Sequence, residues 1–348
     1  MAGGIGSRFW PISTSKTPKQ FHDMLGAGES LIQRTFNRLD SLVPVENMII
    51  ATNKTYKDIV LEQLPKISEN QLFLEPAMRN TAPCILATAL KVYNQNQDGV
   101  MLIAPSDHWI DLEDEFLRNI QTSFDACNEE QILMTLGIKP SSPNTGYGYI
   151  QYTKEEEKEI KKVKQFREKP HLEQAKEFLA EGGYLWNAGI FVWTAKSIIK
   201  AFKEYLPEMY ALFQEGETVW NTDKEQDFID NNYGRSENIS IDYGIIEKAN
   251  NVHVLPVEFG WNDLGTWGSL YDKLADSKEQ NVTIGGEAIY RESEGNIVKT
   301  QSHKKVVIQG LSNFIVAEKD GVLLICPKEK EQDIKEIASE AKSEFGDI

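Results

Sequence analysis

Cysteine is scarce in this sequence. Its 348 residues include only Cys84, Cys127 and Cys326, an odd number without paired spacing. That argues against a disulfide framework and a structural zinc site, and all three are expected as reduced thiols. Long apolar runs are missing too. Stretches such as Met101 to Ala104 and Gly189 to Trp193 fall far short of the roughly 18 residues a membrane-spanning helix requires, so no membrane role is expected. The N-terminus, Met-Ala-Gly-Gly-Ile-Gly-Ser-Arg, lacks the basic stretch and apolar core of a secretory signal, and a cytoplasmic location follows as the expectation. Positive charge is in short supply. Against 53 acidic residues stand 37 basic ones, for a net charge of −16, a field that repels nucleic acid and anionic membrane. A phosphate ligand has to be gripped locally, by a few cations and backbone amides. No period of 20 to 50 residues marks a repeat array.

What is present reads as a globular enzyme-sized chain, 41% hydrophobic and 26% charged, long enough for two domains or for one large domain and a small one. Helical and strand periods alternate from Ser30 to Asp125. Ser30 caps an apolar-faced helix, Met48 to Ala51 is a short strand, Thr81 to Tyr93 is helical, Val100 to Ala104 is a buried strand and Asp111 to Cys127 is helical again. Such alternation predicts an α/β fold with a mostly parallel, Rossmann-like sheet. Strands dominate from Gln131 to Thr194, Ile241 to Ala249 is a short helix, and Val252 to Val257 is a strand. After about Ser277, short strands broken by Gly285, Gly295, Gly310 and Gly321 lead to a charged helix from Lys328. The expected division is a catalytic domain over residues 1–275 and a small β-rich unit with a terminal helix over 276–348.

Three constellations carry chemistry. Gly3-Gly4-Ile5-Gly6-Ser7-Arg8 runs on to Pro18-Lys19-Gln20-Phe21. Its glycines let backbone amides approach a phosphate, while Arg8 and Lys19 supply a forked and a point charge. It is neither a Walker loop nor a dinucleotide fingerprint, and a plain flexible turn is the alternative. Leu102-Ile103-Ala104-Pro105-Ser106-Asp107-His108 ends an apolar strand in an acid, where a carboxylate either holds Mg²⁺ against phosphates or caps the next helix; His108 reads as structural. Val257-Glu258-Phe259-Gly260-Trp261-Asn262-Asp263-Leu264-Gly265-Thr266-Trp267 sets an acid between tryptophans, a costly place without a cation. Asp263 there completes a two-carboxylate site with Asp107 or is a solvated turn residue. Two further segments suit a sugar: Arg167-Glu168-Lys169-Pro170, and Trp186-Asn187-Ala188-Gly189-Ile190-Phe191, whose amide needs a partner, substrate hydroxyl or backbone.

These motifs, with Glu75-Pro76-Ala77-Met78-Arg79-Asn80-Thr81-Ala82-Pro83 and Asn144-Thr145-Gly146-Tyr147-Gly148-Tyr149, resemble in order and spacing those of bacterial mannose-1-phosphate guanylyltransferases, a branch of the sugar nucleotidyltransferases. The resemblance covers about Met1 to Tyr271. It implies the nucleotidyltransferase fold and transfer of GMP from GTP to mannose 1-phosphate, with Mg²⁺ and without a covalent enzyme intermediate. By resemblance, Arg8 and Lys19 hold the triphosphate and departing pyrophosphate in a loop of Gly3, Gly4, Gly6 and Ser7. Asp107 and Asp263 ligate Mg²⁺, Lys169 grips the sugar phosphate, and Glu168 and Asn187 bind mannose hydroxyls beside Gly148. Gly3, Asn80, Thr81 and Ser106 lie around guanine and ribose. The tail resembles the region through which these enzymes often associate, so a homo-oligomer is expected. Longer members append an isomerase domain, for which this length has no room.

The same fold acting on another nucleoside triphosphate and hexose 1-phosphate, or serving as a nucleotide-sugar sensor without catalysis, is the alternative. Retention of both acids and both loop cations favours an enzyme. Because the glycines begin at residue 3, a further five to ten residues rich in Val and Ile are expected before Met1, as the strand that feeds the loop.

Overall fold

The computed structural model describes residues 1–153 and 158–346. Contacts divide the chain into two compact units: one of Met1, 42–105 and 110–261, the other of 2–41, 106–109 and 262–348. The β-rich tail therefore shares a unit with the glycine segment, which no linear boundary conveys.

In the first unit, Leu133–Ile138 is apolar because it lies inside a sheet, between Tyr184–Thr194 and Val252–Val257. The full six-stranded order is Val100–Ile103, Tyr184–Thr194, Leu133–Ile138, Val252–Val257, Lys161–Arg167, Tyr149–Tyr152. Helices alternate with strands as expected, but strand sense is mixed rather than mostly parallel. Leu133–Ile138 runs parallel to Val252–Val257, and Ile50–Asn53 to Leu72–Glu75 in a separate pair. Tyr184–Thr194 enters antiparallel to all three of its partners, Val100–Ile103, Leu133–Ile138 and Tyr149–Tyr152. Tyr149–Tyr152 and Lys161–Arg167 pair antiparallel, a sense that needs only a short connection. Hydrophobic patterning cannot distinguish these senses.

The 11-residue strand Tyr184–Thr194 pairs through its first part with Tyr149–Tyr152 and through its last with Val100–Ile103. Between those parts its register against Leu133–Ile138 slips: Thr135 faces Phe191 but Gly137 faces Asn187. Gly189, at φ +67°, accommodates the bulge. Irregularity thus falls inside the Asn187 motif. The core of this unit packs Trp193, Phe202, Phe213 and Tyr233 with the helix Thr81–Gln95.

The second unit stacks short parallel strands, with Val282 beside Ile297 and Ile297 beside Ile315. Val322–Pro327 returns antiparallel to Phe314–Lys319. Glu287–Arg291 and Lys305–Gln309 form a second parallel pair. The glycines that punctuate the tail turn the chain between these strands. Phe9 and Trp267, edge to face at 5.2 Å, share a core with Ile297, Ile315 and Ile334. Ser30 caps Leu31–Asp40 as expected, through a reciprocal box with Gln33.

Candidate active site

The residues expected around the triphosphate and Mg²⁺ fall in the second unit and those expected around the sugar in the first, whereas the set expected around guanine and ribose is divided, Gly3 and Ser106 in the second unit and Asn80 and Thr81 in the first. In the second unit, Lys19 is 4% exposed, and a buried ammonium needs three acceptors. It has them: Asp107 Oδ2 at 2.9 Å, and the carbonyls of Asp263 and Leu264 at 2.8 and 3.0 Å. One cation therefore holds together the two acid-bearing segments. Gly6 makes this possible. Its φ is +67°, and a Cβ there would stand 2.5 Å from Cβ of Lys19, so a side chain at residue 6 would displace the lysine. Gly4 is exposed with open space above it, Gly3 is half-buried, and Ser7 opens the short turn Ser7–Phe9. Arg8 lies nearer solvent, its Nε donating to Gln332 at 3.1 Å.

Asp107 stays charged against its surroundings. Burial alone would push its carboxyl up, but the Lys19 charge, helped by His108 and by the hydrogen bond to Lys19, holds it below the usual carboxylate range. Burial lowers His108 in spite of the neighbouring Asp107 and Asp263, in keeping with a structural ring. Leu264, fully buried beside Asp263, carries a positive φ of 45°; Gly265 N–H donates to Asp263 Oδ1 at 3.1 Å. Non-glycine residues take this conformation at a cost, and such outliers gather at ligand sites. Ser106 is 6% exposed, and its hydroxyl oxygen is buried with no partner among the described residues.

In the first unit, Glu168 pairs with Lys169 through Oε1, while its Oε2 is buried and unpartnered among the described residues. Burial works against the Lys169 charge, yet the Glu168 hydrogen bond and charge outweigh it and raise the ammonium above its usual range. Lys169 also has a positive φ, 45°. Gly148 is required beside them: its carbonyl accepts from Asn187 N at 2.8 Å, and a Cβ there would overlap Glu168 Oε2. Asn80, φ +57°, donates to Asn238 Oδ1 at 2.6 Å. Thr81 Oγ1 accepts from Ile241 N at 2.9 Å. Both therefore clasp the segment leading to Asp242.

The amide of Asn187 has protein partners on both ends. Thr135 and Gly189 N donate to its Oδ1, and its Nδ2 donates to Asp242 Oδ1 at 2.9 Å. Sequence reading missed Asp242 and Thr135. The available signals were a threonine inside an apolar strand and an acid opening a predicted short helix, which is in fact the π-helical turn Asp242–Ile246. A cavity of about 460 Å³ lies against Lys139, Tyr152, Phe178, Tyr184 and Glu258; none of the expected site residues lines it.

Burial, then the Glu168 charge, pushes Asp242 up to about 6 from 3.8. The folded state therefore holds this proton more tightly than the unfolded chain, and the group subtracts stability as pH rises from about 4 to about 6. Asp242→Asn is expected to gain thermal stability relative to the parent at pH 7.5 but not at pH 4. An equal difference at both pH values would show that Asp242 titrates normally.

Among the described residues no cluster of three or more His, Cys, Asp or Glu is arranged to cage a metal. Mg²⁺ does not need one, because it commonly takes one or two carboxylates and completes its shell with phosphates and water. The carboxylates of Asp107, paired with Lys19, and of Asp263, whose main-chain carbonyl accepts from the same lysine, are hard oxygen donors of that kind.

Residues 1–280 match the nucleotidyl transferase family. The chain belongs to that family. Residues 286–340 of this nucleotidyl transferase match the mannose-phosphate isomerase/GMP-like β-helix domain, over the stacked strands described above. A mannose-1-phosphate guanylyltransferase of Escherichia coli is 33% identical, over 97% of this chain and 74% of its own. The alginate biosynthesis protein AlgA of Pseudomonas syringae pv. tomato is 34% identical, over 97% and 70%. A crystal structure described as mannose-1-phosphate geranyltransferase from Thermus thermophilus superposes with a TM-score of 0.89 at 28% identity, covering 98% of each chain. No helix among the described residues is long and apolar enough to cross a membrane.

Proposed function

We propose that this nucleotidyl transferase makes GDP-mannose: a phosphate oxygen of mannose 1-phosphate attacks the α-phosphorus of GTP in line, the bond to the β-phosphate oxygen breaks, and pyrophosphate leaves. The relatives' names support the substrates. The observation that carries the chemistry is Lys19, whose donors reach Asp107 and the main chain on either side of the Asp263–Leu264 peptide. Such transfer asks little covalent work of a protein, so positioning and charge neutralisation supply the rate.

In this reading Arg8 and the amides of Gly3, Gly4, Gly6 and Ser7 receive the triphosphate. Lys19 keeps both acids in place and offers its charge to the departing pyrophosphate. A divalent cation belongs to this chemistry, and we assign Mg²⁺ to Asp107 and Asp263; when bound it neutralises charge developing on the phosphates. Ser106, Asn80 and Thr81 face base and ribose, the orphan hydroxyl of Ser106 being a ready donor. Glu168 Oε2, buried without a partner among the described residues, accepts from a sugar hydroxyl, with Gly148 and the remaining Asn187 donor beside it. Lys169 binds the phosphate of the sugar.

Residues 1–275 form the catalytic segment in this proposal, and 276–348 an appended unit that associates with a second copy. Ile289 and Val307, 61% and 71% exposed and in register on neighbouring strands, support that role. Three free, buried cysteines suit a reducing, cytoplasmic setting. Incubation with each nucleoside triphosphate and each hexose 1-phosphate plus Mg²⁺, followed by pyrophosphate release, tests the function. Preference for another pair, or binding without release, would replace it.

The two phosphate groups are separable by kinetics. Lys169→Ala is expected to raise KM for mannose 1-phosphate about 10-fold or more with little change for GTP, and Arg8→Ala to do the reverse, as loss of one charge-assisted hydrogen bond implies. The opposite pattern in steady-state measurements would reassign them.

A further inference from the structure

Residues 12–24, which carry Lys19, form turns rather than a ladder, so something else must fix their place. Lys19 N reaches Ile5 O at 3.3 Å and Gln20 Nε2 reaches Ala2 O at 2.9 Å, and two lysines from the stacked strands of the same unit hold the flanks. Lys319, ending Phe314–Lys319, donates to Ile12 O at 2.9 Å. Lys299, ending Ile297–Lys299, donates to Asp23 O at 2.6 Å and lies 3.4 Å from Met24 O. The two anchor points bracket Pro18-Lys19-Gln20-Phe21. Lys319 also lies 3.3 Å from His22 Nε2. Burial, reinforced by the Lys319 charge, lowers that imidazole to about 4, so at neutral pH the ring is uncharged; its Nε2 lies 2.9 Å from Thr17 O.

Lys299 is 8% exposed, yet among the described residues no carboxylate neutralises it by direct contact. The nearby Asp23 spends its oxygens on the amides of Gly26, Ala27 and Gly28, at 2.7 to 2.9 Å. Burying an ammonium against carbonyls alone is a poor route to stability, since an apolar side chain of similar length usually serves as well. What the ammonium does supply is direction, because charge-assisted hydrogen bonds fix the carbonyls they engage.

We propose that Lys299 and Lys319 are positioning residues for guanylyl transfer: the tail strands hold both flanks of the phosphate segment and so set where Lys19 meets Asp107. This rests on the role given to Lys19 above, and makes the tail a working part of the phosphate site in addition to any role in association.

The test is a double-mutant cycle in the full-length protein. Lys299→Met and Lys319→Met are each expected to lower kcat/KM for GTP about 10-fold in the parent and less than about 2-fold in a Lys19→Ala background, because coupled residues are non-additive. KM for mannose 1-phosphate should stay unchanged, and Lys→Arg at either position should restore most of the rate. Hydrogen exchange at the amides of residues 17–24 should quicken about 10-fold in either Met variant, a readout independent of activity. Equal losses in both backgrounds, or unchanged exchange in whichever variants fold, would overturn the proposal. A parent that turns over no nucleotide would instead overturn the functional reading, and exchange would still decide on the tethers.

Discussion

In Asp107→Ala and in Asp263→Ala, turnover is expected to fall by about three orders of magnitude while the fold survives. The two acids lie on segments joined at Lys19, and on the Mg²⁺ assignment proposed above, removing either would take away half of the protein ligands. Folding should tolerate the loss. The Asp107 side chain is 30% exposed, so alanine there leaves no buried hole, although it takes one acceptor from the buried Lys19 ammonium and lowers stability; the Asp263 carbonyl that accepts from Lys19 belongs to the main chain and survives in Asp263→Ala. Circular dichroism would establish the fold, and rates at saturating Mg²⁺ the chemistry. Near-parental turnover in either folded variant would remove the two-acid site.

Lys19→Met is expected to be the more damaging change, because it harms the fold as well as the rate. Methionine fills much of the same space but leaves the Asp263 and Leu264 carbonyls and Asp107 without their donor. Each buried carbonyl so stranded costs about 1 to 3 kcal/mol, and turnover should drop at least about 100-fold as the two acid-bearing segments lose their common anchor. The pH profile carries a more specific mark. With Lys19 gone, its charge and its hydrogen bond no longer hold the Asp107 carboxyl down, so that group should move up from its present position. The acid limb of the kcat profile should therefore move to higher pH. An unmoved limb would show that the ion pair does not govern Asp107.

Much of this arrangement was legible in the amino-acid order, and the illegible parts share a cause. Ser30, the strand Val252–Val257 and the position of Asp107 beyond the strand Val100–Ile103 were readable because each depends on neighbours a few residues away. Strand sense was not, since an apolar run reads the same whichever way its partner points. Nor were the two carbonyl partners of Lys19, which sit 244 and 245 residues further along. Asp242 escaped notice for a related reason: its weight comes from Asn187 and Glu168, 55 residues away and more, and alone it resembles an ordinary acid near a helix start. The tail strands looked like an appendage because their lysines act on carbonyls, and carbonyls leave no trace in a residue pattern.

The oxygen of Glu168 that has no partner among the described residues turns into a rule for inhibitor chemistry. It can only accept, and the carbonyl of Asn187 beside it is already taken up by Thr135 and Gly189. A ligand for this pocket must therefore bring hydrogen atoms. If a sugar hydroxyl faces this oxygen as proposed, exchanging it for fluorine or an ether oxygen should keep the shape but turn a negative end toward a buried carboxylate, a loss of roughly 1 to 3 kcal/mol. An amine at the same position would gain what the fluorine forfeits.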